Sequence, residues 1–228
     1  MAWQNRHVDV LIAIPHSGGE VYFDWAMEFA NLRAAAPPNT FVTSAPEPQI
    51  DIAREKLCEI ALQLNAKYIF FLDSDVLVPR DTIQKLMRHN LPIVAGLYAR
   101  RYHPCWNQML LWVKDEKGNE GFTPIAEGCY EKDALIQCDA VGFGCVLIQC
   151  DALKHMEKPW FRWTEHKTIS GGMSEDFYFC RRARESGYKI HCDTSIVCRH
   201  MGPIKVLPSI GAQGLFEFKQ AGQIIGDL

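Results

Sequence analysis

Several things are scarce in this sequence of 228 residues. No apolar stretch approaches the roughly 20 residues that a membrane-spanning helix needs; runs such as residues 68–72 are strand-sized. No excess of one charge is present: 24 Lys and Arg against 27 Asp and Glu leave a net charge of −3. That balance argues against a nucleic-acid or anionic-membrane partner, both of which select basic surfaces. No Cys-x-x-Cys pair occurs among the nine cysteines, so the common spacing of a structural zinc site is missing. Internal repeats and low-complexity stretches are absent too.

The N-terminus does not have the charged-then-apolar layout of a secretory leader, because Asp9 and Pro15 interrupt its short apolar stretch. A cytoplasmic location without a transmembrane segment is the expectation. The cysteines agree with it. Their number is odd, and several lie inside apolar runs, as Cys145 does in Gly-Cys-Val-Leu-Ile. Free, buried thiols in a reducing compartment account for that pattern. A zinc site built from Cys192, Cys198 and His200 is the competing reading.

What is there is an alternating pattern. Residues 8–14 form a β-branched run ending at Pro15, followed by the loop His16-Ser17-Gly18-Gly19. Val21, Trp25, Phe29 and Leu32 recur at helical spacing, up to Pro37-Pro38. A short strand follows at 41–43. Ile50, Ala53, Leu57, Ile60, Ala61 and Leu64 share one helical face, with Arg54 off the centre of the stripe. Residues 68–72 are apolar without a break, as expected of a central strand covered on both faces. Asp81 is placed to cap a short helix carrying Ile83, Leu86 and Met87, and 93–97 is another strand. This β-α-β-α-β-α-β order predicts an α/β fold with a mainly parallel central sheet flanked by helices. Ligands of such sheets sit at the carboxyl ends of the strands.

After Arg101 the character changes. Residues 102–140 are rich in turn formers and aromatics and show no long period. A strand with glycines at 142 and 144 is expected over 141–149, then a short helix over 151–157. A loop with two tryptophans and Gly171-Gly172 spans 159–172. Ser174 is placed to cap a helix ending at Gly187, with short strands at 188–191 and 196–199 before His200. The last 25 or so residues are weakly patterned.

Five groups of residues can carry chemistry. Asp73-Ser74-Asp75 puts two carboxylates at i and i+2 after a hydrophobic strand, so both point the same way if the backbone stays extended. Mg²⁺ or Mn²⁺ favours such carboxylates together with phosphate oxygens and water; the plainer reading is a polar turn. Glu175-Asp176 at a helix start either stabilise the helix dipole or supply a general base. His200, at a strand end, is a structural histidine or a metal ligand. Arg54, Arg100 and Arg101 share one sheet edge and can clamp phosphate through the planar guanidinium. Trp160, Phe161 and Trp163 either stack on a sugar ring or fill the core.

Taken in order, these motifs resemble the GT-A glycosyltransferases, with the closest likeness to the inverting family 2. The segment from Ser174 to Ala183, reading Ser-Glu-Asp-Phe-Tyr-Phe-Cys-Arg-Arg-Ala, followed by Gly187-Tyr188-Lys189-Ile190, looks like that family's acidic helix. The likeness covers about residues 8–202. It implies a single GT-A domain over 1–228, Rossmann-like. Its nucleotide-sugar-binding half would be 1–101, its acceptor and catalytic half 102–202 and its tail 203–228. It also implies roles. Asp75 and His200 would hold Mn²⁺ or Mg²⁺. Pro15, His16, Ser17, Arg54, Asp73, Ser74, Asp75 and Arg101 would surround a UDP- or GDP-linked sugar. Asp176, with Glu175 beside it, would be the catalytic base, and Trp160 and Trp163 would face the acceptor. That acceptor would be a glycan, a lipid-linked sugar or a protein side chain. One departure stands out: where many members carry a second acidic cluster after the second strand, this chain has Ser44-Ala45-Pro46-Glu47-Pro48. Two other functions fit the same residues: a non-catalytic nucleotide-sugar-binding module, and a nucleotidyltransferase, for which the 16–19 loop is a poor phosphate cradle.

Overall fold

The computed structural model describes residues 7–114, 116, 120–164 and 172–202, and the backbone alone of three two-residue strands beyond them. The elements run β1 (Val10–His16), α1 (Phe23–Ala35), β2 (Thr40–Pro46), α2 (Ile50–Gln63), β3 (Tyr68–Leu72), β4 (Val76–Leu77), α3 (Thr82–Arg88) and β5 (Ile93–Leu97). Then come β6 (Met109–Lys114), β7 (Glu120–Pro124), β8 (Leu135–Cys138), β9 (Ala140–Val141), β10 (Cys145–Gln149), α4 (Cys150–His155), α5 (Glu175–Glu185), β11 (Ile190–Val197) and β12 (Arg199–His200). In the tail, Ile204–Lys205, Lys219–Gln220 and Gln223–Ile224 pair antiparallel; the weak patterning noted there otherwise falls outside the described residues. Among the described residues no helix is long and apolar enough to cross a membrane.

Seven strands form the central sheet in the order β2-β1-β3-β10-β5-β11-β8. The β1–β2, β1–β3 and β5–β11 pairings are parallel. The fold is thus a mixed α/β fold with a large, mostly parallel central sheet flanked by helices, as the alternation predicts. Alternate residues of β3 feed two separate cores, as the period of a strand requires. Ile69 and Phe71 pack with Ala53, Leu57 and Ala61 of α2 and Phe179 of α5. Phe70 and Leu72 pack with Trp25 and Leu32 of α1 and Ile83 and Leu86 of α3. Helices therefore cover both faces, which explains why β3 carries no polar break.

The structure departs from the sequence expectations in five places. The strand expected over 141–149 is split: β9 ends at Val141 and β10, in another sheet, begins at Cys145, with both glycines between them. β10 inserts antiparallel between β3 and β5, so two parallel strands consecutive in the chain are not neighbours. Both its faces are apolar, with Val146 and Ile148 in one core and Cys145 and Leu147 in the other. Such a strand suits a sheet centre in either direction. Residues 102–140, expected to be irregular, contain the β7-β6-β9 sheet. Its alternation is masked because Leu111 and Val113 are exposed apolar residues. The two strands expected at 188–199 are one, β11, with a register irregularity between Asp193 and Val197, followed by β12. Finally, Val21 lies before α1 and is half exposed rather than part of its buried face.

All nine cysteines are free, and eight are buried. Burial pushes the thiols of Cys138 and Cys150 up to about 12, so neither ionises near neutrality.

Candidate functional site

The strand ends build the site. β1 runs through Pro15, which is buried and pairs with Ala45 of β2. The chain then leaves the sheet, and His16, Ser17, Gly18, Gly19, Glu20 and Ser74 line an open cleft of about 400 Å³. The His16 imidazole closes on its own loop through Nδ1 and the Gly18 carbonyl oxygen at 2.7 Å. Of the residues singled out in the sequence, His16, Ser17 and Ser74 thus share one cleft, while Pro15 supports it from within the sheet. Gly18, Gly19 and Glu20 complete the lining.

Asp73 and Asp75 lie just past β3 and face different partners. The Asp73 backbone is pinned: its N–H donates to the Gly144 carbonyl at 3.2 Å, and its carbonyl accepts the Trp25 indole N–H at 2.9 Å. Its carboxylate accepts from Arg54 Nη2, at 3.0 Å to Oδ1 and 3.3 Å to Oδ2. Arg54 Nε also donates to Glu175 Oε1 at 3.2 Å. The guanidinium lies between two aromatic rings, 5.4 Å from the Phe71 centroid and 5.3 Å from that of Phe143. Arg54 is only 2% exposed. This corrects two sequence readings. Arg54 is not at the edge of its helical stripe but buried under it, and it presents no surface to a nucleotide. It ties the Asp73 strand end to the start of α5 instead. The carboxylates raise its pKa above the ordinary arginine value against the opposing effect of burial, so it stays a cation.

Glu175 is buried at 5% exposure and engaged by that same arginine. A sequestered, ion-paired carboxylate cannot reach an acceptor, so Glu175 does not have the geometry of the base that the sequence suggested. Asp176 is half-buried. Its Oδ1 accepts the Phe177 N–H at 2.8 Å and the Ser174 hydroxyl. Burial, reinforced by the negative charge of Glu175, pushes its pKa up to about 7. Ser174 stands at the N-cap as expected, but its hydroxyl goes to Asp176 rather than to a free helix N–H.

Asp75 is joined to the C-terminal part of the chain by backbone pairing. β4 and β12 are antiparallel, with His200 opposite Val76, and the Met201 N–H donates to the Asp75 carbonyl at 2.6 Å. Consequently His200 Nε2 faces Asp75 Oδ2 at 3.4 Å. His200 Nδ1 is 3.0 Å from the Ala99 carbonyl oxygen, an acceptor, so Nδ1 must carry a proton. In the neutral ring, Nε2 then directs a lone pair at a carboxylate oxygen. Two such acceptors face each other stably only with a proton or cation between them. A backbone carbonyl that fixes the tautomer of a ligating histidine is the usual second-layer support of a metal ligand. The donor set thus fits a divalent cation whose remaining ligands come from phosphate and water. Among the described residues no group of three or more His, Cys, Asp and Glu side chains could hold a metal by itself. His200 Nε2 points to Asp75, not to the thiols of Cys192 and Cys198, which are fully buried.

Tyr98 is a member of the site that sequence reading missed. Its ring meets His200 edge-on at 5.4 Å, and its hydroxyl accepts the Gly144 N–H at 3.1 Å. A Cβ on Gly142 would lie 2.1 Å from the Tyr98 hydroxyl. The two glycines are therefore the space into which Tyr98 fits, and glycines inside an apolar strand were the available signal of such a close approach. Both Asp73 and Asp176 raise the Tyr98 pKa in addition to burial, which puts the two carboxylates around one tyrosine.

The aromatic loop divides. Trp160 is 2% exposed, and its indole N–H donates to the Leu153 and Met156 carbonyls at 3.1 and 3.2 Å. Phe161 stacks on Phe179 at 4.8 Å. Both fill the core, so Trp160 offers no face to an acceptor; Glu55 holds their backbone N–H groups. Trp163, by contrast, is 54% exposed. Gly171, part of the same expected loop, lies outside the described residues.

No family model matches the chain, and no curated protein matches its sequence. Among solved structures it is similar to A197 from STIV, at 16% identity, with 88% of this chain and 91% of that one covered and a TM-score of 0.56. A second is titled 4-diphosphocytidyl-2C-methyl-D-erythritol synthase, from Anaerococcus prevotii. It is 9% identical and covers 63% of this chain and 72% of that one, at a TM-score of 0.36, a likeness too loose to weigh. What the first likeness shows is the fold, shared over nearly the full length of both chains.

Proposed function

We propose that this protein is a metal-dependent glycosyltransferase that moves a sugar from a UDP- or GDP-linked donor to an acceptor hydroxyl with inversion. The observation that carries this reading is the pairing of Asp75 with the lone-pair side of His200 just past the end of β3, where Asp73 also lies, with Asp176 in the first turn of α5. The cleft at the end of β1, with Ser74 in its wall, would take the nucleotide.

Mn²⁺ or Mg²⁺, held by Asp75 and His200, would neutralise the departing diphosphate when bound. Asp176 would take the proton of the acceptor hydroxyl as its oxygen bonds to the anomeric carbon. The bond from that carbon to the phosphate oxygen breaks on the opposite face, and the nucleoside diphosphate leaves. A carboxylate with a pKa near 7 is a stronger base than an ordinary aspartate and is still substantially ionised at neutral pH. Arg54 would keep the geometry rigid, holding the Asp73 strand end against the start of α5. Trp163 is the aromatic left to meet a glycan, lipid-linked or protein acceptor.

Asp176→Asn tests the assignment. Oδ1 of the amide can still accept from Phe177 and Ser174, so the fold should persist. Donor binding, measured as Mn²⁺-dependent thermal stabilisation by UDP- and GDP-sugars, should be retained while transfer falls by at least about 100-fold, the scale of general-base catalysis. Full transfer by that variant would remove Asp176 from the mechanism. Release of pyrophosphate from a nucleoside triphosphate by the wild-type chain would point instead to nucleotidyl transfer.

A further inference from the structure

Asp75 Oδ2 faces two nitrogen groups at once, one of them a fixed cation. Arg101 Nη1 reaches it at 2.6 Å, and His200 Nε2 faces the same atom at 3.4 Å. The proton on His200 Nδ1 leaves Nε2 free, so Arg101 stands at the anionic corner where a divalent cation would bind. A guanidinium and a divalent ion cannot share one carboxylate oxygen without strong repulsion. Arg101 is well suited to give way. Its side chain is 36% exposed, and its other contact is a loose stack over the Tyr102 ring at 5.2 Å. It also lies four residues past the end of β5. A planar guanidinium released there has a natural acceptor in a diphosphate, whose oxygens match its fork of donors.

We propose that Arg101 is an exchangeable placeholder for the divalent cation: it holds Asp75 until metal and diphosphate arrive together, then passes from the carboxylate to the diphosphate. The inference rests on the metal-dependent transferase reading above and adds an order to it. Metal alone must displace an arginine that has nowhere better to go, so it binds weakly. Diphosphate alone competes with Asp75 for the same guanidinium, so it too binds weakly. Together each relieves the cost of the other, and the two affinities are coupled by the same factor in both directions. Such a chain would not fill its metal site without donor, and would not hold donor without metal.

The test measures binding rather than turnover. Mn²⁺ affinity of the full chain is read by electron paramagnetic resonance of free Mn²⁺, alone and with pyrophosphate, UDP or GDP, for the wild type, Arg101→Gln and Arg101→Lys. Removing the guanidinium should tighten Mn²⁺ alone by up to about fivefold, the worth of a partly exposed ion pair. It should also weaken pyrophosphate binding in the presence of Mn²⁺, so that the coupling between the two ligands shrinks. Arg101→Lys should lie between the other two proteins, because it keeps the charge and loses the fork. Unchanged melting temperatures would show that each variant is folded, as expected for a half-exposed side chain. If Arg101→Gln binds Mn²⁺ no more tightly than the wild type, or keeps the full coupling, the placeholder role is overturned and the transferase reading stands. If the wild type binds no Mn²⁺ even with nucleotides, both fall together. Pyrophosphate coupling without any from UDP or GDP would assign Arg101 to free pyrophosphate and overturn its role toward the donor.

Discussion

Two aspartates two residues apart, Asp73 and Asp75, each meet an arginine, and the two pairs are built for opposite purposes. Arg54 is sealed between Phe71 and Phe143, bonded to Asp73 on one side and Glu175 on the other. Arg101 stands at the surface with one carboxylate and one loosely stacked ring. Buried charge that loses its partner costs several kcal/mol, whereas an exposed pair contributes about 1 kcal/mol or less. The first pair can therefore only be architecture, and the second can be exchanged during a reaction cycle. The two aspartates are almost equally exposed, at 26% and 24%, so what separates the pairs is the depth of the arginine, 3% against 36%.

The sharpest way to break that comparison is to remove the frame. Arg54→Met should destabilise the chain by about 3–5 kcal/mol, because Asp73 and Glu175 are left facing each other without a cation. Chemical denaturation should show it as a fall in midpoint with an unchanged slope. A loss below about 1 kcal/mol would mean that Arg54 is no more a frame than Arg101. Arg54→Lys should recover only part of the loss, since one ammonium cannot reproduce the fork that spans both carboxylates.

A smaller effect should come from Asp176, which sits beside the frame without a cation of its own. Its folded pKa is raised from 3.8 to about 7. As pH rises from about 4, the unfolded chain therefore loses this proton first. Between about pH 4 and 7 the folded state holds more protons than the unfolded one, so the stability associated with this group falls as pH rises and levels off above 7. Asp176→Asn should abolish that slope and melt higher, relative to wild type, at pH 8 than at pH 4. Parallel melting curves for the two proteins across that range would place Asp176 in an ordinary solvated setting. The same ionisation predicts that wild-type transfer rises with pH through about 7. That limb should be missing from whatever activity Asp176→Asn retains, followed by initial rates at saturating donor.

A still smaller stability change should follow Asp75→Asn, within about 1 kcal/mol, since its ion pair with Arg101 is partly exposed. Its effect on Mn²⁺-dependent stabilisation should nonetheless be large. A variant that unfolds the chain as Arg54→Met does would erase the distinction between the two aspartates. Among the aromatics the same contrast holds: Trp160→Ala should cost about 3–5 kcal/mol as a core deletion, and Trp163→Ala should leave stability nearly unchanged.

Depth also explains what could be read in advance. The apolar run of β3 and the helical spacings of α1 and α2 identified those elements, and β3 and β5 begin and end where the sequence pattern placed them. Local periodicity decides such features, because burial of one face is written directly into the order of apolar residues. Asp73, Asp75, Asp176 and His200 were legible as polar residues at element ends. Three matters were not. The antiparallel insertion of β10 depends on which strand is its neighbour, and a strand apolar on both faces suits either direction. The burial of Arg54 depends on Phe143 and Glu175, each more than 80 residues away in the chain, which close around it only after folding. Trp160 and Trp163, three residues apart, carry the same chemistry in sequence and differ only in what lies over them. Sequence alone determined the alternation of helices and strands and the chemical types gathered at the strand ends. Tertiary structure decided which of those charges are sealed in the frame and which stay partly exposed, because desolvation is a property of the surroundings and not of the residue.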